Sequence, residues 1–403
     1  MKKICIIAPD TFPVPAVKGG AVETVINNII DENEKYKKLD IVCLSVYDKI
    51  AYKKSSDYRN TKFIYYRMPK LKLTNFIIRA VNFIIRKIFK KNIKYYIHSK
   101  RLYSKIRKMK FDYVIVEGGD AISYKYLTDK YDKDKVVLHM HGVDMSCKNN
   151  SILNEMYGKY IALNQFTQNV ITKNEIIKKQ NVYIVPNGIK YEVFNNKISI
   201  EEKLELKKKF GIQEDEKVIL FCGRLIKEKG VLELIQSLQY IESKNKYKVL
   251  IVGNSQFGKN SKTDFEEKLW AIAKEQNEKI KFTGFIHNSQ LYKIYQIADI
   301  FVGPSILEEA FGLVFLEAMA SGLPIITTIS GGIPELVLNE AGILLNRDEK
   351  LVENIAKSIT KLLDDDNLRK NMGQSGTKIA SKYDFKIVYD SLVDTLDRME
   401  GKK

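Results

Sequence analysis

Short apolar runs punctuate this chain and set its expected architecture. KICIIA, DIVCLSV, KFIYYRM, DYVIVEG, KVVLHMH, YIALN and VYIVPN fall in the first half, and KVILFCG, YKVLIVG, KIKFTGF, DIFVGPS, LPIITT and AGILLN in the second. Each has strand length and a β-branched or aromatic bias. Most in the second set alternate with stretches whose apolar residues recur at helical spacing, as a parallel sheet covered by helices requires. The turn signal Pro186-Asn187-Gly188 separates the two sets. The chain therefore predicts two α/β domains, residues 1–186 and 187–382, each a doubly wound Rossmann-like parallel sheet. Beyond them, Phe385, Val388, Leu392, Val393 and Leu396 share helical spacing and predict a final helix within 383–403. A chain of 403 residues with 45% hydrophobic content is long enough to bury two cores.

Two loops between these elements carry the candidate chemistry. The run ADIFVGPS, Ala298 to Ser305, reads as a buried strand entering a loop, and Leu313 to Ala320 is built from helix formers. Glu309, Phe311 and Gly312 then lie at the carboxyl end of a strand, where open α/β sheets bind ligands. The unpaired N–H groups of Gly312, Leu313 and Val314 would face an anion such as a diphosphate. Glu317 follows Glu309 by eight positions, a little over two helical turns, so the two carboxylates can grip opposite ends of an extended ligand. The plainer alternative for Glu317 is an ion pair on a surface helix. Upstream, KVILFCGR runs into GRLIKEKG, a glycine-bounded loop bearing Arg224, Lys227 and Lys229. Arg224 and Lys229 suit a departing diphosphate, one as a rigid fork and the other as a mobile point charge; a solvated basic turn is the alternative.

These residues resemble the glycosyltransferase family 4 pattern within the GT-B fold, over nearly the whole chain. EAFGLVFLEAMASGLPIITTISGGIPELV is similar to the signature of that family, in which seven residues separate two glutamates and a proline-glutamate follows. GRLIKEKG resembles its diphosphate loop, and VPNGI with Phe194 its interdomain segment. KGGAVETV, Lys18 to Val25, resembles its first glycine loop, and HMHGVD, His139 to Asp144, the motif of a donor-contacting histidine. The resemblance implies two domains facing a central cleft, the first on the acceptor side and the second binding the nucleotide sugar, with the last helix crossing back. It implies that Glu309 holds donor-sugar hydroxyls, Glu317 the ribose, and Arg224 and Lys229 the diphosphate. His141, followed by Gly142, is the expected active-site histidine, while His139 reads as a core residue. Gly19 and Gly20 would let backbone approach phosphate or acceptor, unless the pair is simply a turn. Base recognition is expected around Gly284, Phe285 and Ile286, with uridine favoured. Ala310 departs from the more frequent glycine and bears on sugar choice. The reaction implied is transfer with retention from a nucleoside-diphosphate sugar, with no cofactor and no metal.

Charge adds a candidate surface contact. The formal net charge is +18, and from Lys70 to Lys110 there are fourteen Lys or Arg and no Asp or Glu. Within this run Ile77, Val81, Ile84 and Ile88 share one helical face, with Arg79, Arg86 and Lys90 opposite and Phe76, Phe83 and Phe89 on the flanks. That is the form of a basic amphipathic helix at an anionic membrane surface, although isoleucines packed on the first sheet are the plainer explanation of the apolar face, and both can hold at once. The expectation is a peripheral enzyme at the cytoplasmic membrane face, acting on a lipid-linked saccharide or surface glycan. No nucleic-acid motif accompanies Tyr95, Tyr96 and Tyr103, so nucleic acid is not an expected partner. Cys5, Cys43 and Cys222 sit in apolar runs, Cys147 has no neighbour in sequence, and neither a disulfide framework nor zinc spacing appears. The N-terminal apolar run is too short for a secretory signal, and charges interrupt every longer one. The competing functions are a sugar-nucleotide enzyme without an acceptor, such as an epimerase, and a catalytically idle membrane or nucleic-acid module.

Overall fold

The computed structural model describes residues 1–67, 93–119, 121–142, 150–173, 175–254, 263–276 and 279–401. Two compact units emerge: Met1–Pro186 with Tyr389–Lys403, and Asn187–Val388. Most of the basic run, including Ile77 to Ile88 and the three flanking phenylalanines, lies outside the described residues, as does Cys147.

The first unit holds seven strands, β1 (Lys2–Ile7), β2 (Leu39–Val46), β3 (Thr61–Tyr66), β4 (Tyr113–Glu117), β5 (Val136–His139), β6 (Lys159–Ala162) and β7 (Val182–Ile184). They pair in parallel in the order β3-β2-β1-β4-β5-β6-β7. Ile4, Cys5, Ile6 and Ile7 are all fully buried, so both faces of β1 are covered, which is why its sequence is continuously apolar rather than alternating. Each of the isoleucines contributes roughly 1.5–3 kcal/mol of burial.

The second unit repeats the plan with β8 (Lys217–Cys222), β9 (Tyr247–Val252), β10 (Ile280–Gly284), β11 (Ile300–Gly303), β12 (Ile325–Thr328) and β13 (Gly342–Leu345), ordered β10-β9-β8-β11-β12-β13 and all parallel. In each sheet the strand order reverses beside the first strand, between β1 and β4 and between β8 and β11. The crevice at such a reversal, at the carboxyl ends of the strands, is where doubly wound sheets bind ligands.

Six helices border the candidate sites or close the chain: α1 (Ala21–Tyr36), α2 (Lys49–Lys54), α3 (Val231–Ser237), α4 (Asn288–Ile297), α5 (Leu313–Ala320) and α6 (Phe385–Met399). The chain returns to the first unit within α6, where Tyr389, Leu392 and Leu396 are buried and the Tyr389 hydroxyl donates to Asn33 Oδ1 at 2.6 Å. Among the described residues no helix is long and apolar enough to cross a membrane.

Candidate active site

In the second unit, the loops after β8 and β11 are stitched together by backbone. Gly230 adopts φ +71°, and a Cβ there would stand 1.9 Å from the Pro304 carbonyl oxygen, so only glycine permits this approach. Ile306 N donates to Glu228 O at 2.9 Å. The contact brings Lys229 Nζ within 2.5 Å of Glu309 Oε2. Arg224 stands exposed on the same loop, with no ion pair among the described residues.

Glu309 is held from behind by the segment after β12. Its N–H donates to Ser330 Oγ at 3.1 Å and its carbonyl accepts from Gly332 N at 2.8 Å. Ser330, fully buried, donates in turn to Leu307 O at 2.6 Å. Gly331 adopts φ +54°, and a Cβ there would lie 2.2 Å from the Glu309 carbonyl oxygen. This cradle fixes the backbone of Glu309 and leaves its side chain to Lys229 and to Ser305 Oγ, which is 3.4 Å from Oε2.

Gly312 at φ +88° turns the chain into α5, whose first turn has no side-chain cap. The early N–H groups at Leu313 and Val314 thus remain available to an anion. Phe311 is buried, edge-on to Tyr383 at 5.9 Å. Glu317, further along α5, accepts from the Tyr295 hydroxyl of α4 at 2.8 Å. Burial raises the Glu317 carboxyl to about 7, against the opposing hydrogen bond from Tyr295. Burial, and secondarily the nearby Glu317 charge, lifts the Cys222 thiol to about 12, so it is no nucleophile. Glu317 is therefore not an ordinary surface glutamate. Gly284, at φ +72°, ends β10, and Phe285, largely exposed, follows it with Ile286, on the same carboxyl edge but two strands from β8.

In the first unit, Gly19 and Gly20 take φ +82° and +92° and lead into α1. L side chains rarely adopt such positive φ values, so this pair is a backbone requirement of the helix entry. His139 ends β5, and His141 lies beyond it rather than within the strand; the two rings still converge, with centroids 4.2 Å apart. What gathers them is Glu117, at the end of β4. Its Oε2 accepts from His139 Nδ1 at 2.9 Å and from His141 Nε2 at 2.7 Å. Burial alone would raise the Glu117 carboxyl, but the charge and hydrogen bond of His139, with those of His141, overcome it and hold the group at about 2. Burial and the charge of His139 depress His141, against the pull of Glu117. An ionised carboxylate only accepts, so both imidazoles turn an N–H towards it. His139 Nε2 and His141 Nδ1, both buried, are left without a hydrogen-bond partner among the described residues. The three side chains also offer metal-capable atoms within 4.8 Å of one another, although one shared oxygen at these distances is the geometry of a hydrogen-bonded triad.

Sequence reasoning did not single out Glu117, Ser330 or Tyr295. The first two left traces, an acid closing an apolar strand before Gly-Gly and a serine before Gly-Gly. Tyr295 left none, being one aromatic among several on its helix.

A family model described as glycosyl transferases group 1 matches residues 202–379, a stretch that holds Arg224, Lys229, Glu309 and Glu317. The second unit carries a group 1 glycosyltransferase domain. Related proteins carry glycosyltransferase descriptions. An uncharacterized glycosyltransferase of Methanocaldococcus jannaschii is 34% identical over 204 residues, 50% of each chain. The lipopolysaccharide 1,2-N-acetylglucosaminetransferase of Salmonella typhimurium is 28% identical over 69% of this chain and 70% of its own. The match thus spans about half the length of the first of these relatives. Among solved structures, a glycosyltransferase from Rickettsia africae has a TM-score of 0.76 at 19% identity, covering 100% of this chain and 99% of its own. Anabaena HepE in complex with UDP and glucose has a TM-score of 0.75 at 17% identity, covering 99% and 100%. These likenesses establish the fold of the glycosyltransferase domain and its companion as GT-B, two Rossmann-like parallel-sheet domains.

Proposed function

We propose that this chain is a retaining glycosyltransferase of family 4 that moves a hexose from a nucleoside-diphosphate donor, a UDP-sugar, to a lipid-linked saccharide or surface glycan at the cytoplasmic membrane face. The observation that carries the reading is the contact of Lys229 with Glu309 beside the uncapped start of α5, at the strand-order reversal of the glycosyltransferase domain. A cation and a helix N-terminus there answer a diphosphate, and a carboxylate answers sugar hydroxyls. Relatives named for lipopolysaccharide, capsular polysaccharide and glucosyldiacylglycerol synthesis support an acceptor of the glycan or lipid class.

In this mechanism Glu317 holds the ribose, Arg224 and Lys229 hold the diphosphate, and Glu309 orients the donor sugar. The acceptor hydroxyl oxygen bonds to the anomeric carbon on the leaving-group face while the bond from that carbon to the phosphate oxygen breaks. The electron pair departs on the diphosphate, whose new negative charge Arg224, Lys229 and the N–H groups of α5 stabilise, and the hydroxyl proton passes to a phosphate oxygen. No step requires a metal or cofactor.

A thermal-shift panel of nucleoside diphosphates tests the donor, because a ligand bound only by the native state raises the melting midpoint. UDP should shift it most; a larger shift with GDP would overturn the uridine assignment. Donor consumption without acceptor would favour an epimerase instead, and an inverted product by NMR would refute retention. Equal sedimentation with neutral and anionic vesicles at low salt would remove the membrane from the proposal.

A further inference from the structure

The first unit contains a cavity of 720 Å³ that none of the roles above uses. Asp10 and Thr11 follow β1, Tyr47 and Lys49 follow β2, and Arg67 follows β3, so the cavity opens at the carboxyl edge of the sheet. Its charges do not cancel. Of its two carboxylates, Asp48 is already engaged: it caps α2 by accepting from Ile50 N at 2.8 Å and Ala51 N at 3.1 Å, and it pairs with Lys18 Nζ at 2.6 Å. Among the described residues that line it, Asp10 alone remains to set against Lys49 and Arg67, neither of which has an ion pair among those residues. The segment from Met68 to Asn92 contains no Asp or Glu, so it brings no carboxylate that could neutralise them.

Arg67 is also pre-oriented. Its guanidinium carbon lies 4.5 Å from the Tyr47 ring centroid. That ring is buttressed by Tyr52 at 5.8 Å and edge-on by Tyr65 at 6.3 Å, and the Tyr65 hydroxyl lies 3.1 Å from both Val14 O and Ala51 O. A guanidinium lying on an aromatic face keeps its N–H edge free to fork onto a planar anion. In the second unit Arg224, Lys229 and the start of α5 already answer the donor's diphosphate, so this second cationic site fits a different ligand.

We propose that this cavity binds an acidic group of the acceptor saccharide, a carboxylate or phosphate carried on the sugar, with Arg67 as the fork, Lys49 as a second charge, and Thr11 and Asp10 meeting hydroxyls. The proposal rests on the glycosyl-transfer reading, since it assigns the acceptor of that reaction.

Calorimetric titration of the full chain with methyl glucoside, methyl glucuronide, glucose 6-phosphate and inorganic phosphate tests it. The acidic sugars should bind at least about tenfold more tightly than the neutral one, as a charge-assisted fork provides. Whichever of the two binds more tightly names the source of the charge. Arg67→Ala should erase the preference, Arg67→Lys should keep part of it, and Tyr47→Ala should weaken it. Arg67 is exposed, so folding is not at stake, and the UDP thermal shift should be the same in all variants. Equal binding of neutral and acidic sugars, no binding of any sugar, or a preference that survives Arg67→Ala would overturn the proposal. Inorganic phosphate binding as tightly as the sugar phosphate would overturn its saccharide part. Loss of the UDP shift in the unmodified chain would instead strike the glycosyl-transfer reading.

Discussion

Lys229 and Glu309, separated by 80 positions in sequence, meet at 2.5 Å across two loops of the second sheet. With donor bound, the cation should turn to the diphosphate and the carboxylate to the sugar. Lys229→Ala should therefore lower kcat by roughly 10²–10³, the range for loss of a group that stabilises developing negative charge. Glu309→Gln should do likewise with the melting midpoint nearly unchanged. Initial rates at saturating donor, with melting curves, check both.

Ser330 touches no predicted ligand and nevertheless fixes where Glu309 stands. Ser330→Ala removes the acceptor of the Glu309 N–H and should lower kcat about tenfold, with a smaller effect on donor KM. Gly331→Ala should be worse, because the added Cβ falls 2.2 Å from the Glu309 carbonyl oxygen. Steady-state kinetics of the two variants, compared for kcat against KM, decide this.

Glu317 should make donor binding pH-dependent near neutrality. Its carboxyl is raised to about 7 by burial, and the ionised form accepts ribose hydroxyl bonds more strongly than the protonated one. UDP affinity should therefore fall as pH drops from about 8 to 6. For the free protein the sign is opposite: a raised folded-state value gives stability present below the unfolded value of 4.5 and lost as pH rises through about 7. Glu317→Gln should flatten both profiles, raising the melting midpoint at pH 8 while weakening UDP. Tyr295→Phe, which removes a bond that lowers the value, should move the UDP profile to higher pH. Binding and melting series across that range test these signs.

Glu117 ties two imidazoles to one oxygen. Its depressed value gives stability present above the unfolded value of 4.5 and lost as pH falls towards about 2. Glu117→Ala, which strands both rings in a buried site, should cost about 3 kcal/mol by denaturant unfolding. In Glu117→Gln the His141 tautomer, read by nitrogen NMR, should no longer be held with its proton on Nε2. A chelator-sensitive rise in melting midpoint on adding zinc would show that the triad serves as a metal site instead.

Much of this was written into the primary structure. Continuous apolar runs such as KICIIA and KVILFC read as strands covered on both faces, and their alternation with helical spacing left a doubly wound sheet as the economical packing. The glycine at 312 and the cations at 224 and 229 marked a candidate anion site, because backbone reach and fixed charge are local properties. Partnerships were not local. Nothing in the order of residues said that Glu117 would draw His139 and His141 together, since those contacts arise from the parallel register of β4 and β5. Nor did it say that Tyr295 would seat Glu317, that Ser330 would clamp Glu309, or that Arg67 would lie on Tyr47 across the ends of β2 and β3. Residue type and spacing determined which groups were available for chemistry. Only the packing of distant strands decided which of them share a proton, a charge or a cavity, because burial and distance set those energies and both belong to the tertiary structure.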